Sequence, residues 1–211
     1  RVFCLSRGLG DVYKRQDQLA AWTATVHVYE FGGFDPLWRW GFVAVLSLRI
    51  LWDFSGYSDM AIGFARMHGI PLPRNFHWPY LAESLTDFWR RWHISLSTWI
   101  RDYVYIVLGG GRTGPARKAV NGVLAFAVCG LWHGAGWNFL VWGLYHGAGL
   151  AVCSGYRRLL GPVGRPLAAL LDRRRPLAWG LTLTYVGVGW LLFFYPLKDA
   201  LTMMRLLFGW N

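Results

Sequence analysis

One histidine of this chain sits where an ionisable side chain is expensive. His133 lies in Gly130-Leu131-Trp132-His133-Gly134-Ala135-Gly136-Trp137, inside a long apolar stretch. An ionisable group in such a stretch is a functional candidate by default. Glycines allow backbone or substrate to approach closely, and indoles can stack and donate a hydrogen bond. Histidine is the natural proton acceptor near neutral pH, so the group suits a general base that deprotonates a hydroxyl. The competing reading is a packing histidine bonded to a backbone carbonyl. His93, in Trp92-His93-Ile94-Ser95, is a second candidate, with a boundary histidine on an amphipathic helix as its competing reading. His146 fits a satisfied core histidine, and His27, His68 and His77 read as loop or surface residues.

Other chemistries find no support. His93 and His133 alone do not make a metal site, there is no HExxH, and the carboxylates lack ligand spacing. No Gly-x-Ser-x-Gly is present. Gly109-Gly110-Gly111-Arg112 lacks the Lys-Ser/Thr of a phosphate loop and reads as a flexible turn. Asp53 and Asp59 could orient a catalytic group or pair structurally, Asp53 with Arg49 four residues before it. Cys4, Cys129 and Cys153 show neither metal-ligand spacing nor a disulfide framework; two of them read as small packing residues in apolar segments.

Composition says what must position these groups. Hydrophobic residues make up 55% of the 211, aromatic residues 18% and charged residues 16%, with 14 tryptophans. Soluble domains carry roughly 25% charged residues. Tryptophan favours the membrane–water boundary. The net charge of +11 lies between apolar stretches rather than in a nucleic-acid motif. An all-α, polytopic membrane helical bundle with interfacial and re-entrant helices follows, and nucleic acid is not an expected partner.

Residues 1–16, RVFCLSRGLGDVYKRQ, have no initiator Met, no secretory apolar region and no periodicity. They resemble translated sequencing-adapter read-through and are set apart as a non-native leader, with a genuine basic loop as the competing reading. Asp17 to Glu30 is amphipathic. Leu37 to Met67 reads as an intramembrane helix, with Arg39 snorkelling to the boundary. Pro71, Pro73 and Pro79 demand a loop or re-entrant segment. A helix begins at Ser84, capped toward Asp87, with an apolar stripe Trp89, Trp92, Leu96, Trp99, Tyr103. His93 falls at the margin of that stripe.

Ala119–Trp132 and Ala135–Cys153 form a helical hairpin with basic outer flanks, Arg112/Arg117/Lys118 and Arg157/Arg158. Both flanks should be cytoplasmic, with His133 toward the far turn, or within the bilayer if the arms are short or broken. The first arm falls short of the roughly 20 residues that span a bilayer. Tyr156 to Pro176 is basic and proline-punctuated, Leu177 to Pro196 is the clearest transmembrane helix, and Lys198 to Phe208 is a short amphipathic helix.

Four strings now come together. They are Asp53-Phe54-Ser55-Gly56-Tyr57-Ser58-Asp59-Met60-Ala61-Ile62-Gly63; Asn75-Phe76 with Pro79-Tyr80-Leu81; Phe88 to Tyr103, FWRRWHISLSTWIRDY; and Gly130-Leu131-Trp132-His133-Gly134-Ala135. In this order they resemble the membrane-bound O-acyltransferase (MBOAT) family, in its branch of alginate O-acetyltransferase membrane subunits. The resemblance runs from about Asp17 to the C-terminus, so residues 17–211 are expected to form the C-terminal part of a single membrane domain. It implies a helix bundle with a tunnel, His133 as the active-site histidine, and His93 lining the same tunnel. Trp132, Trp92, Asp53, Ser55, Asp59 and Asn138 complete the candidate substrate-binding or tunnel-lining set.

The resemblance also implies acyl transfer, acetyl in this branch, from a thioester donor to hydroxyls of an extracytoplasmic polysaccharide such as alginate. The donor, acetyl-CoA or an acyl carrier, is a co-substrate, and no bound cofactor is expected. Membrane lipid, the polysaccharide acceptor and periplasmic acetyltransferase proteins are the expected partners, at the bacterial cytoplasmic (inner) membrane. A non-enzymatic acyl-group export subunit or a scaffold for a secreted transferase are the alternatives. Many relatives read Phe-Arg after the last Gly-Trp; here Gly189-Trp190 runs on into Leu191-Leu192-Phe193-Phe194-Tyr195.

Overall fold

The proline, glycine and capping residues divide the chain much as their chemistry requires. The computed structural model describes residues 19–112, 114–159, 166, 169–171 and 173–210. The leader assigned to residues 1–16 lies outside them. The described elements are helical, with no strand among them.

The chain divides into two compact units, residues 1–72 with 198–211, and residues 73–197. In the first unit, α1 (residues 19–25) and α2 (Val28–Gly33) replace the single amphipathic segment expected up to Glu30. Helix α3 (Pro36–Met67) then runs unbroken for 32 residues. Asp35 caps it by accepting from the Trp38 backbone N–H at 3.0 Å, and Pro36 sits at the first position, where its missing N–H costs nothing. Phe42, Leu46 and Ile50, four residues apart, form its buried stripe.

The Arg39 guanidinium donates to the carbonyls of Gly32 and Leu206, near the ends of two helices. Leu206 belongs to the terminal helix (Leu197–Leu207), which buries Ala200, Met203 and Leu207.

In the second unit, residues 73–84 are irregular apart from a 3₁₀ turn at Pro79–Leu81. Helix α4 (Leu85–Arg91) starts at Ser84, whose hydroxyl accepts from the Asp87 N–H at 3.1 Å. The expected continuous helix from Ser84 to Tyr103 does not form. It breaks at Trp92–His93, resumes as α5 (Ile94–Ile100) and ends in a π turn at Arg101–Tyr105. The break has a partner. The Asn75–His77 segment lies against it, with the Asn75 carbonyl accepting from Ile94 N–H (3.0 Å) and the Arg91 carbonyl from His77 N–H (2.9 Å). The apolar stripe is divided accordingly: Trp89, Trp92 and Leu96 are buried, while Trp99 and Tyr103 are exposed.

Helix α6 (Pro115–His133) and α7 (Trp137–Leu159) form the hairpin. With 19 residues, α6 is longer than its apolar core alone, because Pro115 starts the helix within the basic loop. The two arms approach to backbone contact. A Cβ on Gly130 would overlap the Phe139 carbonyl, and one on Gly143 would overlap the Phe126 carbonyl. Helix α8 (Arg175–Phe194) follows and is, among the described residues, the one helix long and apolar enough to cross a membrane. Tyr145 of α7 and Tyr185 of α8 stack with ring centroids 4.1 Å apart, each hydroxyl donating to the other's backbone carbonyl. That reciprocal bond consumes two carbonyl lone pairs and fixes the register of the two helices.

Candidate active site

His133 is the last residue of α6, three residues beyond the Gly130 crossing. Close packing there brings its imidazole against α7 and α8. The ring meets Trp142 at 5.2 Å and 89°, Phe193 at 5.1 Å and 80°, and Trp132 at 4.9 Å. Three aromatic edges limit its rotation, and the side chain is half-buried. Gly134, next in the chain, has no room for a side chain, because a Cβ there would meet the Phe139 ring at 2.6 Å.

His93 is buried and stands at the break between α4 and α5, in backbone with φ +44°. A non-glycine residue in the left-handed region is strained, and such strain persists where surrounding contacts enforce it. The contacts here are those of Asn75. Its Oδ1 accepts from the Ser95 N–H (3.1 Å) and hydroxyl (2.9 Å) and lies 3.3 Å from His93 Nδ1. The Trp132 ring borders both histidines, 6.1 Å from His93 and 4.9 Å from His133. Burial, and after it the charge of neighbouring His133, hold the His93 imidazole below the ordinary histidine value. It is therefore neutral at pH 7.

The remaining candidates fall in both units. Trp92 is buried and enclosed by Phe76, Phe88 and Trp190, at 5.0, 5.6 and 5.0 Å. Asn138 donates to the Leu192 carbonyl at 3.3 Å, which ties the start of α7 to the end of α8 beside Phe193. Asp53, Ser55 and Asp59 lie on α3, in the first unit. There Asp53 pairs with Arg49 at 3.6 Å, as its spacing predicts, and Arg49 also donates to Thr23.

His146 corrects the expectation of a satisfied core histidine. It is fully buried, and neither ring nitrogen has a hydrogen-bond partner among the described residues. Rings surround it instead: Trp89 at 5.1 Å, Trp142 at 5.0 Å and Tyr145 at 5.3 Å. Cys129 is buried as expected of a packing residue, but Cys153 is exposed.

Sequence reasoning passed over Trp142 and Phe193 as members of the site. Trp142 and His146 are four residues apart on α7 and so share a face, which was a usable signal. Phe193 carried none beyond its place in an apolar run. Asn75 stood in one of the four strings, but nothing in the sequence pairs it with His93, 18 residues on and beyond Pro79.

The site reads chemically as two imidazoles that border one indole, within a cluster of aromatic rings. One half-buried imidazole can accept a proton, and a second neutral one can order a hydroxyl.

Comparison with known proteins agrees on the class. The family model of membrane-bound O-acyltransferases matches residues 30–180. A probable alginate O-acetylase AlgI of Pseudomonas putida is 45% identical over 69% of this chain and 28% of its own length. A peptidoglycan O-acetyltransferase of Helicobacter pylori is 38% identical over 89% of this chain and 36% of its own. A teichoic acid D-alanyltransferase of Streptococcus thermophilus is 31% identical over 80% and 44%. The chain thus spans between about a quarter and under half of the length of these relatives. With the family model covering most of its residues, the chain belongs to the membrane-bound O-acyltransferase family.

Proposed function

We propose that this chain carries the acyl-transfer centre of a multi-pass inner-membrane O-acyltransferase. The enzyme moves an acyl group, acetyl by likeness to the O-acetylases, from a thioester donor to a hydroxyl of an extracytoplasmic polysaccharide. The observation that carries the reading is the placement of His133. It ends a helix, is held by Trp142 and Phe193, and shares Trp132 with a second neutral histidine.

The acceptor hydroxyl gives its proton to the His133 imidazole as its oxygen attacks the thioester carbonyl. The tetrahedral oxyanion collapses with cleavage of the C–S bond. The departing thiolate takes the proton back from the imidazolium, leaving ester and thiol. His93 or an indole N–H orients or stabilises the reacting oxygen.

Membrane embedding is supported by α8 and by an outward stripe on α6. Val120, Leu124, Val128 and Leu131 follow helical spacing and are exposed, which suits hydrocarbon or neighbouring apolar helices better than water. Periplasmic transferase proteins that complete delivery to the polymer are the expected partners. Alginate and peptidoglycan are the acceptors named for relatives, and D-alanyl transfer to teichoic acid marks the outer range of the chemistry.

The test is acyl transfer by the intact membrane protein bearing His133→Ala or His93→Ala. His133→Ala should abolish transfer with expression and fold retained. Full activity in a well-folded His133→Ala protein would overturn the assignment and favour an export or scaffold role.

A further inference from the structure

We infer that Asn75 is the positioning residue for His93: its amide oxygen holds the imidazole as the Nδ1–H tautomer and leaves Nε2 as an acceptor for the reacting hydroxyl. The inference rests on the acyl-transfer reading above and selects between the two roles that reading allows His93.

The argument follows donors and acceptors. The Ser95 backbone N–H can only donate, and it points at the Asn75 side-chain atom 3.1 Å away. That atom is therefore the amide oxygen and not the nitrogen. An amide oxygen can only accept, so His93 Nδ1, 3.3 Å from it, must carry the proton.

Ser95 Oγ agrees. It donates its proton to the same oxygen at 2.9 Å and lies 3.4 Å from Nδ1, turning a lone pair and not a proton toward the ring. A neutral imidazole has one N–H, so Nε2 carries the lone pair. The hydrogen bond at one ring nitrogen decides what the other can do.

The backbone explains why this holds. The Asn75 carbonyl accepts from Ile94 N–H, so main chain and side chain of one residue grip both sides of His93. Phe76 packs edge-on against Trp92 at 5.0 Å and seats the segment. That grip keeps His93 at φ +44°. As a consequence, neutral His93 cannot donate from Nε2 to an oxyanion. It can accept from, and so aim, the attacking hydroxyl, and the oxyanion must take its donor elsewhere, with an indole N–H as the candidate.

The test uses the intact protein with ¹⁵N-labelled histidine. The ring signals of His93, assigned by their loss in His93→Gln, should show a protonated Nδ1 and an unprotonated Nε2. An Nε2–H tautomer in the wild type overturns the inference even if every Asn75 variant misfolds. Kinetics give a second readout. Asn75→Ala should lower kcat by roughly ten- to a hundredfold, the range lost when a group that orients an imidazole is removed, with KM for the donor nearly unchanged.

Asn75→Asp keeps an acceptor in place and should recover most of kcat. Its negative charge favours the imidazolium, so the acid limb of the rate profile should move to higher pH. A purely structural role would not move that limb. Asn75→Ala at wild-type kcat, beside an inactive His93→Ala, overturns the positioning role alone. A fully active His93→Ala overturns the role of His93 on which it stands.

Discussion

The imidazole of His133 meets the indole of Trp142 at 89°, with ring centroids 5.2 Å apart. Trp142 is fully buried and reaches His146 and Phe193 as well, at 5.0 and 5.4 Å. It is the contact through which the folded interior of this unit sets the direction of the candidate base. Trp142→Phe keeps an aromatic wall but shortens it. We expect a cavity cost of about 1–3 kcal/mol, within the range for reducing a buried aromatic, and a larger proportional loss of acyl transfer because His133 gains rotational freedom. Thermal unfolding in detergent and turnover, measured on the same preparation, check both.

The hairpin crossing should tolerate no side chain. Gly143→Ala sets a Cβ into the Phe126 carbonyl, and backbone cannot turn aside as a side chain can. Destabilisation of about 1–3 kcal/mol or more is expected, with lost activity as His133 shifts. Gly122→Ala, on the same hairpin with nothing within 4 Å of the new Cβ, is the control and should be neutral or slightly stabilising.

The tyrosine clasp between α7 and α8 should show coupling. Tyr145→Phe and Tyr185→Phe each remove one hydroxyl that donates to the partner's carbonyl. Each should cost about 0.5–1.5 kcal/mol, and a double-mutant cycle should return a nonzero interaction energy because the stacked rings share both bonds.

His146 should be replaceable. Its nitrogens make no hydrogen bond among the described residues, so burial of the ring is unfavourable for its polar atoms and favourable only through packing. His146→Leu is expected to hold or raise stability, by up to about 2 kcal/mol, and to leave acyl transfer largely intact. A collapse of turnover in a stable His146→Leu protein would place His146 in the chemistry after all.

The pH dependence has a definite sign at His93. Its imidazole is held below the ordinary histidine value, because burial and, after it, His133 disfavour its charged form. Neutral His93 is then the dominant species throughout neutral pH. Loss of function through its protonation should therefore come at a lower pH than an exposed histidine would give. Rate profiles of wild type and Asn75→Asp, compared below pH 6, test this.

Much of the architecture is legible in single residues. Ser84 starts a helix where its chemistry says, because a cap acts within one turn of chain. The uncharged run from Leu177 becomes α8 for the same local reason, and Arg49 finds Asp53 one turn on. His133 is conspicuous for its apolar neighbours in the sequence alone.

Tertiary structure decides what local pattern cannot. The stripe from Trp89 to Tyr103 has helical spacing throughout, yet the helix breaks at His93. Hydrogen bonds from the distant Asn75 segment replace those the helix would have made. Arg39 reads in sequence as one cation in an apolar run, and only the fold brings it the carbonyls of Gly32 and Leu206. Spacing places a histidine on a face, but the tautomer of His93 and the aim of His133 depend on partners far along the chain. Those partners meet only when the Gly130–Gly143 crossing and the Asn75 clamp have closed.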